Sequence, residues 1–379
     1  MEKRILVIPD SFKDSISSNE FCDITKTAIQ KINHACVVDC IPVGDGGEGS
    51  LDSFKLIKDY TFKTMFVKNP INELVKATYC INKKTKTGII ELAQASGIQL
   101  VPIELRNPTK TTSYGTGQLI ENIISEGIKK IILFIGGSAT NDVGIGMLDA
   151  LGFSFRDYEN NKLTPSVKNL SKIYKIEKSP MYNNIKKVKF IVACDVANPL
   201  IGPNGATQTF GKQKGATNKE LHKLEEKVIH FSKIVTKEFG RDYTKHDGAG
   251  AAGGVGFAAL SFLNAEFEGG FKLISKLLNL KGKIKKGNYD YIITGEGCID
   301  EQTQYGKLLK HVADLGKKYS TPVIAFTGKL KKDLFHLNLP GLTIANQITP
   351  KNTDLDTAIR DTSKNLNKAI NEEMFNLLN

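Results

Sequence analysis

Short apolar runs alternate with longer stretches of helical periodicity along most of this chain. Ile5-Leu6-Val7-Ile8 has the length and continuity of a buried strand, and the segment near 18–33, entered through a Ser/Asn cap region, predicts a helix. Residues 37–43 repeat the strand signal and run into Gly44-Asp45-Gly46-Gly47-Glu48-Gly49, which is expected to open another helix. In the middle of the chain, 131–135 and 189–193 predict strands, and the regions near 217–239 and 250–264 predict helices. Three further strand signals follow at 289–294, 322–326 and 342–345. Strands alternating with helices in this way predict parallel sheets, hence an α/β fold.

At 379 residues the chain exceeds what a single hydrophobic core usually serves. The two ends resemble each other in style, with a strand leading into a glycine-rich acidic loop. The expected organisation is therefore a Rossmann/flavodoxin-like parallel-sheet domain from residues 1–70 plus 285–379, with a second α/β domain, 71–284, inserted into it. The lysine-rich segments at 68–74 and 281–288 are the expected crossings, and the active site is expected in the cleft between the domains.

Composition narrows the chemistry. Apolar content of 40% and charged content of 24% are those of an ordinary globular protein. The net charge of +12 is almost entirely lysine, since arginine stands only at Arg4, Arg106, Arg156, Arg241 and Arg360. With so few planar guanidinium forks, the charge reads as a lysine-biased surface and not as a nucleic-acid interface. The six cysteines show no Cys-x-x-Cys pair and no zinc spacing with the histidines, which predicts reduced thiols. The apolar run at 5–8 is too short for a signal sequence or a membrane span, so a cytoplasmic protein without membrane partners is expected.

Glycine and acid recur together at predicted strand ends, and the combination suits phosphoryl transfer. Glycine lets backbone N–H groups close around phosphate, and carboxylates hold Mg²⁺ or take a proton. After the first strand come Asp10, Ser11 and Lys13, with Lys13 placed to follow charge onto a phosphoryl group. Asp45 and Glu48 occupy the next loop. Gly136-Gly137-Ser138-Ala139-Thr140-Asn141-Asp142 lies between a strand and a helix, but no Gly-Lys-Ser/Thr ends it, so it is not a Walker A loop. Ser113 in Ser113-Tyr114-Gly115-Thr116-Gly117 offers a second entry of that kind. Asp195 ends an apolar strand, a costly place for a carboxylate unless it is paired, liganded or wet, and serves here as general base or metal ligand. The run 205–215, with Gln208, Lys212, Gln213 and Lys214, and the run 248–254, with Gly253 and Gly254, add further glycine loops. Glu296 and Asp300, with Lys307 beyond them, close the set. Taken singly, each segment also reads as a turn, a helix cap or close backbone packing.

The ordered set closely resembles the type I glycerate kinases of bacteria. It comprises Pro9-Asp10-Ser11-Phe12-Lys13, Gly44 through Gly49, Glu91-Leu92-Ala93-Gln94-Ala95-Ser96-Gly97, Thr112 through Gly117, Gly136 through Asp142, Ala193-Cys194-Asp195-Val196 with Asn198-Pro199, Gly248 through Gly254, and Thr294-Gly295-Glu296-Gly297. The resemblance spans essentially the whole chain. It implies a two-domain enzyme that moves the γ-phosphoryl of ATP, with Mg²⁺, onto D-glycerate, usually at the 2-hydroxyl, acting as a monomer or homodimer.

Carried onto this sequence, the resemblance assigns Asp195 and Lys13 to catalysis. Asp10, Ser11, Ser113, Gly136, Gly137, Ser138, Thr140, Asn141, Gly253 and Gly254 would bind substrate or phosphate, and Asp45, Asp142, Glu296 and Asp300 would serve Mg²⁺. Where members of the family commonly have glycine, this chain has Asp14 and Val143; where they have proline it has Lys212, and where they have arginine, Cys298. A kinase for another small hydroxy acid, or a metabolite-binding relative without turnover, would use the same loops.

Overall fold

A computed structural model describes residues 2–12, 14–44, 49–55, 57–300, 303, 308–331 and 339–378. The chain first lays down β1 (Arg4–Val7) and β2 (Val37–Cys40). It then builds β3 (Thr61–Lys68), β4 (Leu74–Asn82), β5 (Thr87–Glu91), β6 (Lys130–Phe134), β7 (Ser154–Arg156), β8 (Lys162–Leu163), β9 (Lys175–Glu177), β10 (Lys189–Ala193) and β11 (Glu266–Glu268). Finally it adds β12 (Tyr291–Ile299), β13 (Val323–Leu330) and β14 (Leu342–Gln347). Two compact units result, one of Met1–Asp45, Asp52–Leu56 and Phe271–Asn379, the other of Gly46–Leu51 and Ile57–Gly270.

In the first unit all pairings are parallel, in the order β14-β13-β12-β1-β2. Renumbered within the unit, this is 2-1-3-4-5, the flavodoxin-like order, whose reversal falls between β1 and β12. Successive side chains of β13 serve opposite faces. Ile324 and Phe326 join Phe21, Ile29, Leu366 and Met374 under the helices Ser18–Ile32 and Thr362–Leu378, while Ala325 packs with Ile299 and Leu309 of the helix Leu308–Tyr319. Helix Ser18–Ile32 starts where Ser17 and Glu20 form a reciprocal capping box, which satisfies N–H groups that a helix leaves open at its start.

The second unit carries the order β11-β10-β6-β5-β4-β3, parallel from β11 to β5 and antiparallel through β4 and β3. A small sheet, β8-β7-β9, stands apart from it. Ile131, Leu133, Phe190 and Val192 share one core with the helices Tyr114–Ser125, Asn218–Phe239 and Ala251–Leu263. No helix among the described residues is long and apolar enough to cross a membrane.

Several boundaries differ from expectation for identifiable reasons. Residues 68–74 form the turn between β3 and β4, where Asn69 accepts the N–H groups of Ile71 and Glu73, so the strand Thr61–Lys68 belongs to the second unit. Residues 281–288 lie within and just after the helix Leu280–Gly287, and the chain has already passed back into the first unit at Phe271. Where the segment Gly44–Gly49 is expected to open a helix, the described residues that follow form a single 3-10 segment, Ser50–Phe54.

Two of the departures from the family pattern acquire a physical meaning here. Asp14 has φ +63° and Val143 has φ +54°, the left-handed region that glycine enters without strain. At exposed Asp14 the side chain adds strain and no buried packing. Left-handed strain of about 1–2 kcal/mol exceeds the roughly 0.4–1 kcal/mol that a more flexible unfolded chain takes back. Asp14→Gly is therefore expected to raise the urea midpoint, corresponding to a gain of up to about 1 kcal/mol; an unchanged or lower midpoint would show that Asp14 is not strained.

Candidate functional site

In the second unit, the carboxyl ends of the parallel strands carry the candidate chemistry. β5 ends at Glu91, β6 leads into Gly136–Asp142, and β10 leads into Cys194 and Asp195. Ala193 pairs with Phe134, so Asp195 and Gly136 each stand two residues beyond paired positions on neighbouring strands. Adjacent strands run about 4.8 Å apart, so the two loops leave neighbouring strands, while the Asp195 carboxylate is engaged by the Gly270 N–H on the β11 side of β10.

The loop is fastened through its carbonyls and one hydroxyl. The Ile98 N–H donates to the Gly137 carbonyl at 2.9 Å, and the Thr111 hydroxyl donates to the Ala139 carbonyl at 3.0 Å. Lys214 Nζ donates to Ser138 Oγ and to the Thr140 carbonyl, each at 2.7 Å. The Ala139 N–H is taken by the Ser96 carbonyl at 2.9 Å. The N–H groups of Gly136, Gly137 and Ser138 donate no hydrogen bond among the described residues, and Gly137, at φ +72°, is exposed. Successive unused backbone N–H groups at a strand end make an anion site, which fits a phosphate or a carboxylate.

The far end of the same loop turns inward. Ser113, Thr140, Asn141 and Asp142 are buried, and among the described residues Thr140 Oγ1 and Asn141 Oδ1 have no hydrogen-bond partner. Asp142 Oδ2 accepts the N–H and the hydroxyl of Ser113, each at 2.8 Å, and the Gly146 N–H at 3.3 Å, while Oδ1 accepts the Gly144 N–H at 3.1 Å. Burial pushes its carboxyl above the ordinary range, and these donors oppose the shift. A metal at Asp142 would have to displace bonds that hold the turn together. Asn141 Nδ2 donates to Thr207 Oγ1 at 3.2 Å.

Gly253 and Gly254 have a packing role in this arrangement. Both are buried, and Ala252, Gly253 and Gly254 are left-handed at the start of the helix Ala251–Leu263. The Val143 N–H donates to the Gly253 carbonyl at 3.0 Å, and a Cβ on Gly253 would lie 1.9 Å from the Thr140 carbonyl oxygen. The glycines let two backbones touch and thereby shape the loop.

Asp195 is exposed, and its Oδ1 accepts the Gly270 N–H at 2.8 Å. The neighbouring Cys194 thiol is pushed up to about 11 by burial, which keeps it protonated and unreactive at neutral pH.

The first unit presents its own set at the β1/β12 reversal, where open α/β sheets bind ligands. Asp10 N–H donates to the Gly295 carbonyl at 2.9 Å, and Ser11 N–H donates to Asp10 Oδ1 at 2.7 Å. Asp10 and Glu296 are only 9% and 6% exposed, so neither is an ordinary surface acid. Thr303 Oγ1 donates to Glu296 Oε1 at 2.8 Å and accepts the Asp300 N–H at 3.2 Å. β12 continues to Ile299, which places Glu296 and Cys298 within the strand and not in a loop after it, because Glu296 and Cys298 keep register with Thr327 and Lys329 of β13. Lys13, Asp45, Glu48 and Lys307 lie outside the described residues. Among the described residues no group of three or more His, Cys, Asp or Glu side chains is arranged to hold an ion; a Mg²⁺ held by one or two carboxylates together with phosphate and water needs no such group.

Two buried ionic groups, Lys214 of the run 205–215 and Glu91 of the motif 91–97, are named in the sequence without a role of their own. Lys214 sat within a glycine-rich run, and its spacing between Gly211 and Gly215 was the only signal. Glu91 ends β5, where its carboxylate accepts the Leu51 N–H and the Gln94 side chain at 3.3 Å.

The geometry agrees with comparison to known proteins. The family model described as the glycerate kinase family matches residues 5–378. A glycerate kinase of Halalkalibacterium halodurans is 38% identical over 365 residues, covering 96% of each chain. A protein of Escherichia coli K12 named glycerate 2-kinase is 37% identical over 366 residues, 97% of this chain and 96% of its own. A crystal structure described as a glycerate kinase 2 from Salmonella typhimurium LT2 superposes with a TM-score of 0.84 at 33% identity, covering 100% of this chain and 98% of the other. Matched by the family model over residues 5–378 and by such relatives along nearly the full length, this chain belongs to the glycerate kinase family of phosphotransferases.

Proposed function

We propose that the protein transfers the γ-phosphoryl group of ATP to D-glycerate at the 2-hydroxyl, giving 2-phospho-D-glycerate. The observation that carries this reading is the row of unused N–H groups at Gly136, Gly137 and Ser138, at the end of the strand next to the one that leads to Asp195. Both reactants are anions, and such a row receives a carboxylate or phosphoryl oxygen without a side chain. The choice of the 2-hydroxyl draws on the relative named glycerate 2-kinase.

In this reading Asp195 accepts or orients the proton of the attacking hydroxyl, and its bond from Gly270 fixes the direction of the carboxylate. Lys13 follows charge onto the phosphoryl oxygens. Ser113, Asp142, Gly253 and Gly254 act one step back, holding the loop that positions the anion. Asp10 and Ser11 follow β1 and Glu296 and Asp300 lie at the end of β12 in the first unit, and Glu296 and Asp300 would hold Mg²⁺. When bound, Mg²⁺ neutralises phosphate charge.

With ATP, Mg²⁺ and D-glycerate, the product is expected to be consumed by enolase alone. A signal that requires added phosphoglycerate mutase would mean 3-phosphoglycerate, and no phosphorylation from folded protein would reject D-glycerate as acceptor. Asp195→Asn is expected to lower kcat by about 10²–10⁴-fold with little change in the KM for ATP; a kcat near wild type would remove Asp195 from the chemistry. Gly253→Ala is expected to destabilise the protein by about 1–3 kcal/mol and to reduce kcat/KM, because the new methyl must push the Thr140 carbonyl away.

A further inference from the structure

We infer that Lys214 is a positioning residue for this reaction: its ammonium anchors the Ser138–Thr140 turn and supplies the fixed positive charge for the anion held by the amides of Gly136 to Ser138. The inference rests on the proposed function above and deepens it by naming the charge behind the loop.

Lys214 is only 4% exposed, yet among the described residues no carboxylate lies within ion-pair distance of it. Two of its three donors go to Ser138 Oγ and the Thr140 carbonyl, which leaves one open. The charged group whose field reaches it is Asp142, and that carboxylate is already closed by four donors of its own. The backbone beneath the lysine is locked as well. Lys212–Lys214 forms one 3-10 turn ended by Gly215 at φ +95°, where a Cβ would stand 2.1 Å from the Arg106 carbonyl oxygen. A buried ammonium held in place without a contacting anion is costly, and an incoming anion removes much of that cost.

Burial lowers the Lys214 pKa to about 7. The unfolded chain therefore carries more protons than the native one between about 7 and 10.5, so the stability penalty of this group is full below pH 7 and is relieved as the pH rises. The neutral amine still donates to Ser138 and Thr140, so the turn survives deprotonation while the charge does not. Binding an anion favours the charged form, and a ligand added above pH 7 draws a proton from solution.

The test is calorimetric titration of the full chain at pH 8 with D-glycerate, and separately with ATP and Mg²⁺, in two buffers of different ionisation enthalpy. Wild type is expected to take up roughly one proton with at least one of the two ligands. Lys214→Met is expected to take up none and to bind that ligand about tenfold or more weakly, and Lys214→Arg to recover affinity without uptake. Lys214→Met binding both ligands as tightly as wild type overturns the assignment. Should Lys214→Met fail to fold, Lys214→Gln takes its place in the same comparison, and wild-type affinity for both ligands in that variant overturns the assignment. Wild type that binds with uptake but transfers no phosphoryl group to D-glycerate sinks the substrate reading and leaves the role of Lys214 standing.

Discussion

The buried carboxylate of Asp142 is the constraint on which the loop geometry depends. A buried charge without donors costs several kcal/mol, so the carboxylate can stay only where N–H groups converge on it. Ser113 at the entry of the helix Tyr114–Ser125, and Gly144 and Gly146 around the start of the helix Ile145–Ala150, supply those groups. One side chain thereby ties two helix entries to the end of the Gly136–Asn141 loop. Val143 and Gly144 are left-handed, and Gly253 is left-handed where its carbonyl accepts the Val143 N–H.

A loop fastened in this way presents its N–H groups without having to order itself when a ligand arrives. Its carbonyls are taken by Ile98, Thr111 and Lys214, and the amides of Gly136, Gly137 and Ser138 remain for the reactant. In the proposed reaction the positive charge comes from Lys214 inside the fold, and the proton goes to Asp195 at the end of the neighbouring strand. Such preorganisation places the electrostatic work in the scaffold, so that residues which touch no reactant still govern the rate.

Much of this was legible in the sequence where local chemistry is strong. The strand at 5–8, the helix beginning beside Ser17 and the glycine loop after residue 135 are local patterns, and the structure keeps them. The edge strand β3 is only partly buried and carries lysine and threonine, β4 mixes lysine, threonine and asparagine into its apolar run, and the strands of the small sheet are two or three residues long, so none gives a clear local strand signal. At the site, sequence could mark Asp142 as an acid in a glycine loop but could not tell a ligand from an anchor, since that depends on Ser113, 29 positions away. For the same reason the sequence shows Lys214 in a glycine-rich run without giving it a role. Its importance comes from burial against Ser138, 76 positions away, which no local pattern reports.

The account turns on the free amides of the glycine loop. Its most direct test is a nitrogen–proton spectrum of protein labelled at glycine and serine, recorded while D-glycerate or ATP with Mg²⁺ is added. The account predicts that the Gly136, Gly137 and Ser138 amide signals shift strongly and saturably with one of these ligands, while Gly144 and Gly146, already bonded to Asp142, move little. Signals of the loop that stay still at saturating concentrations of both ligands would contradict it.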